Sequence, residues 1–520
     1  MKLHGAGLPA RLLLAAVLVA IGTVVNAAPA DDSFRIGFSV PAGQGVVTLR
    51  AVTNRPTTLF GSHWSGSLYV RNVETHKEYR IIDRAPVYFF ESLYMGPLPP
   101  GGYELIKFES TQGSSMFNLT TKVAVDPNPG VFHVASARVT DLGTAAFVWS
   151  FQTGKFAMGY EPGALTLPRV RELMDPALTQ AVQGEPLSWD PPGAGVRRPR
   201  LDEHARQVTL DLLHGSHTPT GILLFGESFG QVGMRSPSGS WGLQQTPAID
   251  LITSVAWAKD GAIAASSEEG GVWLRSGAAS SAWQAHWLPR ADVAVHYVAF
   301  DSTNRLLAVA ETRSAMIVYA LTASSDSWDE LHTFVLGGSF GVGVPRFSDA
   351  SLDGDTLRIT TRRTGAFKME STVDTLSLAD GSVHSNTINS LGMIGAGPGG
   401  MLYSMSGPNP AQSLLVSMDG SNWEKRGSPD WTRVVRFRTS EKGYVLRPDH
   451  ALVGTGPEKT SLWITADGGR TWTRTREAPD NSVDVILLED PSSLLIATRD
   501  GRVLRSKDDG NTWQLEFQVP

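Results

Sequence analysis

Hydrophobic and polar residues alternate over short runs through the first part of the chain. Phe34–Phe38, Val46–Leu49, Ser67–Val70, Glu78–Ile81, Tyr103–Ile106 and Phe117–Thr120 set apolar against polar side chains at a period of two, as strands with one buried face do. Pro41-Ala-Gly43, Asn54-Arg-Pro56, Pro97 to Gly102 and Asp126-Pro-Asn-Pro-Gly130 separate them with turn chemistry. Residues 31–150 are therefore expected to form an antiparallel β-sandwich. The period then lengthens. Leu167, Val170, Leu173, Met174, Leu178 and Val182 recur at helical spacing around Pro176, which predicts two short helices within 151–200. That segment closes on Trp189 to Arg200, a Pro/Gly/Arg-rich stretch that reads as an exposed linker, with Arg197, Arg198 and Arg200 expected to be solvated.

From Leu201 onward the pattern repeats itself. Tryptophans that follow a Gly/Ser/Asp-rich turn stand at 241, 283, 328, 423, 472 and 513, with spacings of 42, 45, 95, 49 and 41 residues. The long interval holds one further turn, Ala379-Asp380-Gly381-Ser382, where Val383 takes the place of the indole. Seven repeats of about 45 residues follow, the length of a four-stranded propeller blade. Between the turns, Ile222–Phe225, Ala262–Ala265, Leu306–Val309 and Leu494–Ala497 are continuous apolar runs, expected as inner strands buried on both faces. The fold class read from the chain is all-β: an N-terminal antiparallel β-sandwich followed by a seven-bladed β-propeller over 201–520.

Two of the turns are near-copies of one octapeptide, Thr465-Ala-Asp467-Gly-Gly469-Arg-Thr471-Trp472 and Ser506-Lys-Asp508-Asp-Gly510-Asn-Thr512-Trp513. A third, Ser417-Met-Asp419-Gly420-Ser-Asn-Trp423, is one residue shorter. The aspartate can accept backbone N–H groups a few residues on, glycine supplies a positive φ, and tryptophan re-enters the sheet. The earlier turns, Arg235 to Trp241 and Arg275 to Trp283, keep the tryptophan and lack the aspartate. The octapeptide resembles the Asp-box (BNR) repeat of sialidase-like β-propellers, sortilin-type receptor ectodomains and photosystem-assembly propellers. That resemblance implies a fold. The box lies on a blade's outer turn, and the families that carry it include enzymes and non-enzymes. In the first region, Leu98-Pro-Pro-Gly-Gly-Tyr103-Glu-Leu and Val131 to Thr144 resemble small envelope domains of prealbumin-like or carboxypeptidase-regulatory-like type, which implies an accessory module without catalytic residues.

Composition agrees with many short strands: 53 glycines, 31 prolines and only 18% charged residues in 520. Residues 1–30 have the form of a signal peptide. Lys2 and Arg11 precede an apolar run from Leu12 to Val25, and Val25-Asn-Ala27 or Ala28-Pro-Ala30 offers small residues for cleavage. Export to the periplasm or beyond is the expectation. With no cysteine, neither disulfides nor a lipoprotein anchor is available. Cleavage would remove two basic residues and no acid, taking the formal net charge from −6 to −8. A chain of that charge has no electrostatic footprint for nucleic acid. No later run approaches 18 apolar residues, so no membrane insertion is expected after cleavage.

Phe34-Arg35-Ile36-Gly37 matches three of four positions of the sialidase Phe/Tyr-Arg-Ile-Pro motif, but it lies far upstream of the first blade. The repeat region holds only Tyr297, Tyr319, Tyr403 and Tyr444 as tyrosines. Glu268 and Glu269, and Asp349, Asp353 and Asp355, could supply a glycosidase carboxylate pair. Glu268-Glu269-Gly-Gly, Asp353-Gly354-Asp355 and Asp500-Gly501 have turn composition, and a solvated turn is the expectation for each. His204, His214 and His217 could in principle approach a metal, yet no ligand motif accompanies them. Asn118-Leu-Thr120 is a formal glycosylation sequon. No cofactor and no metal are expected. The function this supports is an exported non-enzymatic binding or scaffold protein recognising a protein or glycan, with a glycoside hydrolase as the alternative.

Overall fold

The computed structural model describes residues 33–518, apart from 54–65, 87–90, 114–117, 126–129, 151–154, 162–166, 190–215, 218–220, 278–281, 323–325, 338–344, 365–368, 389–393, 407–411, 450–457 and 499. The signal-like segment 1–30, the arginines at 197, 198 and 200, and His204 and His214 lie outside the described residues.

The architecture is all-β. Two five-stranded sheets open the described chain. In one, Gly45–Thr53 and Val139–Ser150 are neighbours, flanked by Ser92–Leu98, Lys155–Glu161 and Leu187–Ser188. The other joins Glu78–Ile82, Gly66–Asn72, Gly101–Gly113 and Asn118–Ala124, with Val131–Val134 alongside. One apolar cluster spans both sheets, including Leu49, Leu68, Tyr94, Phe108, Phe132 and Phe147. Phe108 meets Phe147 edge-on, with ring centroids 4.7 Å apart.

Three sequence expectations need correction here. The first sheet is mixed, because Gly45–Thr53 pairs parallel with Val139–Ser150. Hairpin reasoning misses such a pair, since parallel neighbours need a long crossover, and the whole of the second sheet lies between these two strands in the chain. Trp189 does not begin an exposed linker: it is 7% exposed, packs edge-on against Phe132 and donates its backbone N–H to Asp141 O. Phe34–Phe38 forms no strand beyond a single bridge at Ile36, which is anchored instead to the end of a helix through Leu173 O and the Asp175 N–H.

The helices are Leu167–Leu173 and Pro176–Ala181. Asp175 caps the second, accepting from the Ala177 N–H, and a proline at its first turn suits the unpaired N–H there. Their apolar faces pack Val170, Leu173, Met174 and Leu178 against Val46, Leu93, Met95 and Val139 of the mixed sheet.

Beyond them, the described residues form seven four-stranded antiparallel sheets, each with its strands in chain order. They span 216–245, 252–287, 294–335, 346–388, 394–426, 434–478 and 482–518, and are numbered one to seven below. The continuous apolar runs are second strands: Leu223–Gly226, Ile263–Ser267, Leu306–Glu311 and Leu494–Thr498 are buried throughout. Burial on both faces follows from packing, because each sheet shares an apolar cluster with the sheets before and after it. One of these joins the first sheet of the series to the last. Leu223 and Phe225 of sheet one cluster with Ile486, Leu488 and Leu495 of sheet seven. Trp241 stacks on Phe517 at 5.0 Å, a contact worth about 1 kcal/mol beyond its area. Its indole N–H and the Arg235 guanidinium both donate to Glu516.

Antiparallel order fixes which turns share a side. Turns joining strand two to three, and the loops from one sheet to the next, fall on one face. Turns joining strand three to four, where the boxes lie, fall on the opposite face.

Candidate functional site

The box turns resolve their charge locally. Asp467 accepts from the Thr471 hydroxyl at 2.6 Å and from the Thr471 and Arg470 N–H groups at 2.9 Å. Thr465 donates its hydroxyl to Asp467 and accepts from the Gly469 N–H. Ser506, Asp508, Gly510 and Thr512 repeat four of these bonds, and the Asn511 N–H donates to the Asp508 backbone O instead. Ser417 and Asp419 do the same in the shorter copy, with the Ser421 and Asn422 N–H groups as donors. These donors hold the carboxyls of Asp467, Asp419 and Asp508 below the ordinary carboxylate range, the Thr471 hydroxyl first among them for Asp467.

Each box also grips the preceding sheet. Gly469 and Gly510 have φ of +90° and +84°, and a Cβ there would lie 2.5 Å from Leu414 Cδ2 and 2.4 Å from Leu462 Cδ2 respectively. Trp472 donates its indole N–H to Gly427 O of sheet five, and Trp328 donates to His286 O of sheet two. Trp513 packs with Leu446 and Leu462 of sheet six, and Trp423 with Val373 of sheet four. These residues tie neighbouring sheets together.

On the opposite face, the N-terminal region meets sheets one to three. Arg50, from the mixed sheet, is 3% exposed and bridges Glu91 of its own sheet and Glu269 of sheet two. The Glu269 N–H donates to Asp250 at 3.2 Å, and Glu268 beside it is fully buried. Glu268 and Glu269 are thus not a solvated turn. Burial pushes Glu269 up to about 7 and Glu91 and Asp250 upward, while Arg50 opposes each shift. Arg169 of the first helix donates to Leu288 O at 3.1 Å and to Arg290 O, and lies over the Trp287 ring. The Phe34 N–H donates to Asp292 at 2.8 Å.

A second polar cluster gathers from five sheets. Arg436, on the first strand of sheet six, donates to both carboxylate oxygens of Asp484 of sheet seven, at 3.0 and 3.2 Å. Asp484 holds the Arg436 guanidinium firmly protonated, with Tyr403 of sheet five and Asp349 of sheet four contributing. Tyr403 donates its hydroxyl to Val435 O at 3.1 Å. Burial pushes Asp349 up to about 6, with Arg436 acting the other way. It also raises the Tyr297 hydroxyl on sheet three, which lies near Asp349. Solvent nevertheless reaches 37% of the Arg436 side chain and 10% of Asp484.

A repeated irregularity places these groups. The first strands of sheets two, three, four and seven each slip register before Ser254, Tyr297, Asp349 and Asp484. A bulge re-aims the residue that follows it. The sequence pattern pointed to Asp349, Tyr297 and Tyr403 but not to Arg436 and Asp484. The available signal was one polar residue breaking an apolar first strand, as in Ser482-Val-Asp484-Val-Ile-Leu487.

Other candidates disperse. Arg35 donates to Glu172 O in the N-terminal region. Asp353 and Asp355 flank Gly354 in the sheet-four hairpin, facing Arg358 and the Ser302 hydroxyl. Asp500 is bound to Thr498 and Arg502 within its own turn. Tyr444 donates to Asp509, linking sheets six and seven. Among the described residues no group of three or more His, Asp or Glu side chains could hold a metal, and no helix is long and apolar enough to cross a membrane.

No family model and no curated protein matches the chain. A solved structure of YCF48 bound to D1 peptide is similar at 15% identity and TM-score 0.43, over 57% of this chain and 93% of that one. An ulvan lyase of a polysaccharide lyase family is similar at 10% identity and TM-score 0.42, over 59% and 93%. Sqt1 from Saccharomyces cerevisiae is similar at 11% identity and TM-score 0.41, over 59% and 85%.

Proposed function

We propose that the chain is an exported, non-enzymatic recognition or scaffold protein. In this reading residues 1–30 are a signal peptide, and the N-terminal region up to Trp189 is a β-sandwich accessory module. The seven sheets are the blades of one closed propeller with Asp-box turns on its lower rim, and the partner, a protein or glycan, is met on the upper face. Ring closure is supported by the Trp241, Arg235 and Glu516 contacts, which repeat between sheets seven and one the grip seen elsewhere.

The observation that carries the function is the unequal treatment of the upper face. The accessory module occupies its side over sheets one to three through Arg50, Arg169 and Phe34. The cluster of Tyr297, Asp349, Tyr403, Arg436 and Asp484 belongs to sheets three to seven and keeps Arg436 open to solvent. A glycoside hydrolase reading draws on the same cluster, because a carboxyl raised to about 6 beside a paired one is a division of roles that such enzymes use. The test is affinity capture from the native envelope together with a glycan array. Binding that weakens in Arg436→Gln supports recognition. Glycoside turnover that disappears in Asp349→Asn overturns it in favour of hydrolysis.

A further inference from the structure

We infer that the groove between the outer strand of sheet six and the box turn of sheet seven is a binding site for a neutral sugar residue of a glycan. The site lies on the box side of the sheets and does not depend on what the upper face binds. It is an open cleft of about 550 Å3, within the range of small-ligand sites, lined by Arg474, Thr475 and Glu477 of sheet six and Asn511, Thr512 and Trp513 of sheet seven. An irregular backbone brings its charged groups together. Arg474 and Glu477 stand an odd number of residues apart and would face opposite sides of a regular strand. The outer strand of sheet six carries one extra residue between them, since its register slips between Ser461, paired with Glu477, and Trp463, paired with Arg474. That bulge turns both side chains to the cleft, and both are exposed. Arg474 is steadied by Asp449 at 2.9 Å. Glu477 makes no side-chain hydrogen bond among the described residues, so its carboxylate is open to a donor.

The indole in the cleft gives a second, independent observation. Four turn tryptophans place their N–H on an acceptor: Trp241 on Glu516, Trp328 on His286 O, Trp423 on Gly420 O and Trp472 on Gly427 O. Trp513 is treated differently, because its Nε1 is buried and meets no acceptor among the described residues. His286, Gly427 and Glu516 each follow shortly after the tryptophan of their own sheet, and Thr475 holds that place in sheet six. Its hydroxyl instead donates inward to Leu462 O at 2.9 Å. The missing bond thus falls at the cleft, and a ligand oxygen entering there can supply the acceptor that a buried donor needs. The lining selects the ligand. An anion held by Arg474 would sit beside Glu477, and a cation held by Glu477 beside Arg474. Neutral hydroxyls satisfy both at once, donating to Glu477 and accepting from Arg474. The Asn511 amide donates to Asp508 O at 2.7 Å, which leaves its own carbonyl oxygen to accept. The Trp513 ring adds an apolar surface for the C–H face of a sugar.

The experiment is a glycan array probed with the full chain, followed by titration of the neutral oligosaccharides it selects into Glu477→Ala, Arg474→Ala and Arg436→Gln, with thermal melts to check folding. Affinity is expected to fall at least about tenfold in Glu477→Ala and in Arg474→Ala, as for loss of a hydrogen bond to a charged group, and to stay unchanged in Arg436→Gln. In a chain carrying isotope-labelled tryptophan, the indole N–H signal that disappears in Trp513→Phe should shift when the oligosaccharide binds. That signal is read on the unsubstituted cleft, so it decides the matter even where a cleft variant melts early. No neutral glycan on the array, selection of charged glycans alone, or a Trp513 signal that does not move overturns the inference, as does binding that survives both cleft variants. Binding lost in Arg436→Gln alone also overturns it and puts the sugar on the upper face, in keeping with the recognition reading. Peptide capture without glycan binding removes the cleft site and keeps that reading. Glycoside turnover lost in Asp349→Asn, with cleft binding intact, removes that reading and keeps the cleft.

Discussion

Two acid-and-glycine turns of similar composition have opposite fates. In Thr465 to Trp472 the bonds of the aspartate lie at the surface, and it is satisfied within five residues by a hydroxyl and backbone N–H groups. Ser267 to Gly271 looks as hydrophilic, yet Glu268 is fully buried and Glu269, half-buried, is paired with Arg50, more than 200 residues earlier in the chain. The first turn is a local solution that any strand connection can adopt, which explains why it recurs. The second is a tertiary contract, made once, between the N-terminal region and sheets one and two. Turn composition therefore reports backbone shape faithfully and says little about whether a turn's charges face water.

The largest effect should come from breaking the tertiary partner. Arg50→Met leaves Glu91 and Glu269 buried without their counter-ion and is expected to destabilise by about 3–5 kcal/mol, read as an earlier first transition in urea. Adding Glu91→Gln and Glu269→Gln should recover most of that loss, because neutral amides need no guanidinium. Next in size is Gly510→Ala. A Cβ at φ +84° would press on Leu462, for an expected loss of about 1–3 kcal/mol in the same assay. Smallest should be Asp467→Asn, seen as a fall in Tm below that of Gly510→Ala, since solvent can replace the lost bonds.

The pH dependences should also carry opposite signs. Asp467 is held low in the folded state, so its contribution is present above the ordinary carboxylate range and fades as pH falls below about 4. Glu269 is held high, so the folded state binds more protons and loses stability as pH rises from about 4.3 to about 7. Glu269→Gln should flatten the slope between pH 5 and 7, and Asp467→Asn should leave that window unchanged. Identical slopes in both variants would dissolve the contrast.

Much of the strand pattern was legible because it is local. Val46–Leu49, Leu306–Val309 and Leu494–Ala497 show their burial in their own composition. Thr465, Asp467, Gly469, Thr471 and Trp472 show their turn in their spacing. Ala379-Asp380-Gly381-Ser382 likewise marked the connection between strands three and four of sheet four, even with Val383 in place of tryptophan. The polar cluster was not legible, because Asp349, Tyr403, Arg436 and Asp484 come from separate repeats and only sheet packing makes them neighbours. Arg50 was invisible for the same reason: as one basic residue in an alternating strand it reads as solvent-facing, and its burial exists only once sheet two closes over it.

The sequence by itself determined where strands start and turn, since side-chain period, glycine φ and carboxylate capping act within eight residues. Which charges are buried, which sheets are neighbours and which face stays open were decided by tertiary structure alone. Desolvation and ion pairing depend on what lies within a few ångströms in space, and that distance is not written along the chain.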